Sequence, residues 1–100
     1  MRVTLIGGMD RLARHYLKAA QEVGVDLRIF NRPEAGLAQR IHGSQAVVLF
    51  TGKVSHQARD LAMGIAKAHA IPVYQYHSCG VCTLRKCLSC LGGTGMAARS

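Results

Sequence analysis

Ala46-Val47-Val48-Leu49-Phe50 is an unbroken apolar run, followed at once by Thr51-Gly52-Lys53-Val54-Ser55-His56. A strand with one wet face alternates polar and apolar residues. A run with no polar residue suits a strand covered on both faces, the situation of parallel sheets enclosed by helices. Downstream, Ala58, Leu61, Ala62, Ile65 and Ala68 recur at helical spacing. They predict a helix from Val54 or Ser55 to Ala70 with that stripe inward and Ser55 as its N-cap. Strand, tight loop and helix in this order make one α/β unit.

The same unit repeats on either side. Arg2–Gly7 is β-branched and apolar and breaks at Gly7-Gly8. Asp10–Val23 carries Leu12, Tyr16, Ala19, Ala20 and Val23 on one helical face, and Gly24 suits its stop. Val25–Phe30 reads as a second strand. Pro33 opens a short, weak helix over Glu34–Ile41. Ile71–Tyr76 reads as a fourth strand, with Pro72 near its start where a missing N–H is tolerated. Thr83–Leu91 can form a last short helix, with Thr83 as N-cap and Gly92-Gly93 as the stop. The expected fold is α/β: a small doubly wound parallel sheet of about four strands, a Rossmann/flavodoxin-like half in the order 2-1-3-4, with helices on both faces. The expected organisation is an α/β domain over 1–78, a cysteine-rich segment over 79–91 and a flexible tail over 92–100.

Composition narrows the function classes. One hundred residues, 49% hydrophobic and 18% charged, describe one globular domain and not a disordered chain. No apolar run reaches the length of a membrane span, and the N-terminus reads as a strand rather than a signal peptide. A cytoplasmic location follows as the expectation, and there cysteines stay reduced. The net charge is +8, from 13 Lys+Arg against 5 Asp+Glu. Such a balance suits an acidic protein or an anionic ligand. Nucleic acid is a weaker candidate, because the basic residues are scattered and aromatics are 5% of the chain. A small sheet also tends to cover its edge by forming a homodimer.

All four cysteines fall in one stretch, Cys79-Gly-Val-Cys82-Thr-Leu-Arg-Lys-Cys87-Leu-Ser-Cys90. Two CxxC pairs offer four soft thiolates, a donor set for Zn or an iron–sulfur cluster. The gap between the pairs is shorter than in zinc ribbons. His77 is a further candidate ligand, although a histidine at a strand end more often serves as a polar cap. Arg85 and Lys86 stand between the pairs and favour thiolate, which helps both metal binding and dithiol redox chemistry. The expectation is metal ligation by Cys79, Cys82, Cys87 and Cys90.

In an open α/β sheet ligands bind beyond the carboxyl ends of the strands. Gly7, Gly8, Arg32, Lys53, Ser55 and His56 all fall at such ends and are the candidate cofactor-binding residues. Neither GxGxxG nor GxxxxGK[ST] is present, so these glycines serve equally well as a tight β–α turn. His56 in a helix's first turn is more simply a solvated residue than an acid/base. No Ser/His/Asp pattern ties Asp10, Asp26 or Asp60 to it, so no catalytic residue is assigned and enzymatic turnover is disfavoured.

Val3-Thr4-Leu5-Ile6-Gly7-Gly8 with Asp10-Arg11, the Ala46–Phe50 strand, Val54-Ser55-His56 and Ile71-Pro72-Val73 resemble an uncharacterised bacterial family, domain of unknown function 2325. The resemblance covers about residues 1–78. It implies a small Rossmann-like cytoplasmic domain with Gly7, Gly8, Ser55 and His56 on a shared rim, and it implies no activity. The cysteine segment departs from members that end in a basic or Ser-rich stretch. The sequence therefore points to a sensing, carrier or regulatory protein that binds a metal or cluster. A thiol–disulfide redox protein, or a module for phosphate, nucleotide or nucleic acid, is the alternative.

Overall fold

The structure is a computed structural model that describes residues 1–32 and 35–92. Its centre is β1 (Arg2–Gly7), flanked by β2 (Asp26–Phe30) and β3 (Ala46–Phe50), with β4 (Val73–Tyr76) outside β3. All pairings are parallel and the order is β2-β1-β3-β4, as the strand–helix alternation requires. Val3 lies between Leu27 and Ala46, and Ile6 between Phe30 and Leu49. This register puts matching apolar rows on each face.

Among the described residues four α-helices cover the sheet: α1 (Ala13–Glu22), α2 (Leu37–His42), α3 (His56–Ala68) and α4 (Val81–Gly92). On one face Val3, Leu5, Val48 and Phe50 pack with Tyr16 and Ala20 of α1 and with Leu84 and Leu88 of α4. On the other, Ile6, Val47 and Leu49 pack with Leu37 and Ile41 of α2 and with Ala58, Ala62 and Ala66 of α3. Every residue of β3 is buried, the outcome expected of its unbroken apolar run.

Several boundaries and faces differ from the sequence expectations. A short 3-10 turn, Asp10–Leu12, precedes α1, whose helix proper begins at Ala13. Val23 is its C-cap and remains exposed, while Gly24 takes φ +72° and ends the helix as anticipated. The inward stripe of α3 is Ala58, Ala62 and Ala66, one residue per i+4 step. Leu61 is 40% exposed and Ala68 is exposed as well. The small alanines let this helix lie close to the sheet, which leaves Leu61 about 100° round the helix from Ala62 and in solvent. β4 begins at Val73 rather than Ile71, because the Ile71 N–H is held by the Ala66 carbonyl of α3 at 2.8 Å. Pro72 still joins the ladder through its carbonyl, which accepts from Val47 N at 2.9 Å.

The weak second helix starts at Leu37, and Pro33 and Glu34 lie outside the described residues. α4 begins at Val81, ahead of the Thr83 cap anticipated from sequence. The Gly80 carbonyl already accepts from Leu84 N at 3.3 Å, and the Thr83 hydroxyl reaches back to Ser78 Oγ at 3.2 Å. Thr83 therefore sits inside the first turn; Gly92 is the last described residue of the helix, and Gly93 lies outside the described residues. The tail expected beyond it, residues 93–100, lies outside the described residues. No helix among the described residues is long and apolar enough to cross a membrane.

Candidate functional site

The loops after β1, β3 and β4 meet at the carboxyl end of the sheet, and their backbones interlock. Gly7 and Gly8 adopt φ +95° and +97°, a region that favours glycine. A Cβ on Gly7 would stand 2.7 Å from the Lys53 carbonyl oxygen and 2.8 Å from that of Phe50. The Gly8 N–H donates to the Lys53 carbonyl at 2.8 Å, so it is not free to cradle a phosphate. A Cβ on Gly52 would run into the His77 carbonyl, which packs the β3–α3 loop against the β4–α4 junction. The glycines singled out from sequence thus bring backbones together.

Tyr16 is the bridge that sequence reasoning did not assign. Its ring is fully buried and meets Phe50 edge-on, with centroids 5.8 Å apart. Its hydroxyl accepts from Met9 N at 3.2 Å and donates to the Cys79 carbonyl at 2.5 Å. Burial pushes the Tyr16 hydroxyl pKa up; the Met9 N–H opposes this and Cys79 adds to it. The signal was available: a tyrosine on the inward stripe of α1 carries an OH that must find a partner. One hydroxyl thereby ties the β1–α1 turn to the first cysteine.

The candidate cofactor residues are only partly gathered. Gly8, Met9, Asp10, Arg11 and Lys53 line an open depression of about 410 Å³. Arg32, Ser55 and His56 are not in its lining. Asp10 is engaged by the Asn31 side-chain amide. Ser55 Oγ accepts from Ala58 N at 3.0 Å, the N-cap role anticipated from sequence. His56 is exposed at the first position of α3, and Arg32 is exposed after β2.

The cysteines divide into different environments. Cys79 lies in the β4–α4 junction, half-buried, with Sγ 3.9 Å from the His77 carbonyl oxygen. Cys82 is exposed in the first turn of α4. Cys87 is 5% exposed and packs in the core with Leu84 and Leu88. Burial pushes the Cys87 thiol up, the Tyr76 hydroxyl beside it pulls the other way, and Cys90 raises it further. The Tyr76 hydroxyl is itself pushed up to about 12, by burial first and then by Cys87. Cys90 is exposed one turn further along. His77, the fifth candidate, is exposed. Among the described residues no three of His, Cys, Asp and Glu are grouped to hold a metal ion. Bringing all four sulfurs of one chain together would require α4 to unwind.

These features define a small doubly wound parallel α/β protein whose rim at the carboxyl ends of the strands is closed by a cysteine-bearing strand–helix junction. The chain belongs to the bacterial family described as "Uncharacterized protein conserved in bacteria (DUF2325)", which it matches over residues 2–91. The match runs beyond the 1–78 span that carried the resemblance and takes in all four cysteine positions. α4 is correspondingly continuous with the domain: Leu84 and Leu88 are fully buried in the same cluster as Val3 and Leu5. No curated protein and no solved structure matches the chain.

Proposed function

We propose that this is a metal-binding cytoplasmic protein of sensing or regulatory type, with Cys79 and Cys82 as its ligand pair. The sheet is taken as a Rossmann-like half, whose carboxyl-end rim is the ligand side. The observation that carries the proposal is the division of the cysteines. Cys79 and Cys82 stand at the rim within solvent reach, whereas Cys87 is committed to the core. Three residues apart across the start of a helix, two thiolates form a chelating pair for Zn or for the iron of a cluster. The Tyr16 bond to the Cys79 carbonyl links that pair to the β1–α1 turn, so occupancy of the site would be felt by the neighbouring loop.

Metal analysis of protein purified anaerobically in reductant tests this. The expected result is bound Zn or Fe that is lost in Cys79→Ser and Cys82→Ser and retained in Cys90→Ser. Metal-free protein with every thiol titrating would overturn it. The position of the pair at a helix start also favours a dithiol redox reading. In that case the metal-free protein would show a reversible two-electron potential, abolished by either substitution.

A further inference from the structure

We infer that the metal is shared between two copies of this chain, each contributing Cys79 and Cys82 to one four-sulfur site. This rests on the metal-thiolate reading above and adds the partner. Four sulfurs round one Zn lie about 2.3 Å from it and hence about 3.8 Å from one another. An intact α4 cannot supply that set from one chain. Cys82 and Cys90 are separated by about 12 Å along the helix axis, and Cys82 and Cys87 by about 7.5 Å along it and about 140° round it. Recruiting Cys87 would also pull Leu84 and Leu88, both at 0% exposure, out of the core. Among the described residues no His, Asp or Glu completes a group of three with the pair. One chain therefore offers two ligands, and closed zinc sites take four.

A second copy supplies the identical pair, and a two-fold axis through the metal makes the contact self-complementary. Each ligating thiol gives its proton to solvent. Four thiolates and one dication leave a net charge of about −2 at the centre. Lys86 is four residues beyond Cys82, one turn on along the same helix face. It is exposed, and among the described residues no carboxylate pairs with it. One Lys86 from each copy offsets that charge. The neighbouring Arg85 is held by Glu22 of α1 and is not needed.

The geometry also selects between two modes of dimer. Pairing of the β4 edges, outermost in the sheet among the described residues and formed by Val73, Tyr74, Gln75 and Tyr76, would be antiparallel across a two-fold axis. It would send the two β4–α4 junctions to opposite ends of the joint sheet. A shared metal requires those junctions to meet, so the two dimers exclude each other.

The experiment is mass by light scattering and zinc content on the full chain, in reductant, with and without added zinc. The expected outcome is a monomer without zinc and a dimer with it, holding about 0.5 Zn per chain, the ratio a shared tetrahedral site demands. Cys82→Ser abolishes both zinc and dimer, while Cys90→Ser changes neither. Circular dichroism confirms that each variant is folded. One zinc per chain on a monomer would overturn the sharing and leave the metal reading standing. A dimer of unchanged mass without zinc would overturn the sharing too. Protein that holds neither zinc nor iron at any concentration would overturn both.

Discussion

Replacing Leu84 by alanine asks whether the cysteine helix is part of the fold or an attachment to it. Leu84 is fully buried, on the face of the sheet formed by Val3, Leu5, Val48 and Phe50. Removing three carbons from such a site costs about 3 kcal/mol, from lost transfer energy plus the cavity left behind. A domain of this size has about 5–15 kcal/mol in total, so the loss is a substantial fraction. At about 4–8 °C per kcal/mol, the midpoint of thermal unfolding should fall by about 12–24 °C. The assay is thermal unfolding followed by circular dichroism, with chelator and reductant present so that metal does not contribute. Leu61→Ala is the control: Leu61 is 40% exposed, and truncation there should shift stability by about 0.5 kcal/mol or less. Equal, small shifts for both variants would refute the packing of α4 and make the cysteine segment a separable appendage.

Other outcomes follow from single contacts. Gly7→Ala should destabilise by about 2 kcal/mol or more, because left-handed strain of about 1–2 kcal/mol adds to a clash with backbone oxygens. Gly24→Ala has the strain without the clash and should cost less; urea midpoints decide between them. Tyr16→Phe leaves Met9 N and the Cys79 carbonyl without their partner and should cost about 1–3 kcal/mol. In metal-free protein it should also speed alkylation of Cys79, followed by mass spectrometry; an unchanged rate would refute the coupling of Tyr16 to Cys79. Alkylation of the native protein should reach Cys82 and Cys90 before Cys87. Burial raises the Cys87 and Tyr76 pKa values, so the folded protein keeps protons that the unfolded chain releases from about pH 8.5 for Cys and about pH 10 for Tyr. The corresponding stability is whole below about pH 8.5 and is lost as pH rises through the folded values. Cys87→Ala should remove the first part of that fall in urea titrations, and an unaltered pH profile would refute it.

The architecture was legible because it rests on one-dimensional patterns. The unbroken Ala46–Phe50 run announced a strand buried on both faces, and strand–helix alternation then left little choice but a parallel, doubly wound order. Ser55 was recognisable as a cap because its chemistry is local: a side-chain oxygen three residues before an orphan N–H. The α3 face was right at Ala58, Ala62 and the partly buried Ile65, and wrong at Leu61, which is more apolar than Ala66 yet lies outside the stripe of small side chains against the sheet. The Tyr16 bridge joins residues 63 apart, and no local pattern carries such a bond.

The sequence by itself determined that four soft donors gather in twelve residues after the last strand, and that they leave from the rim of an α/β sheet. Spacing along a chain leaves open which donors face one another, because that depends on the conformation between them. The tertiary structure decided it by continuing the helix from Val81 through every later cysteine and burying Leu84, Cys87 and Leu88 against the sheet. Helical rise then holds the sulfurs apart, and the core keeps one of them out of solvent. What read as one stretch of four cysteines became three environments: Cys79 half-buried at the rim, Cys87 in the core, and Cys82 and Cys90 exposed.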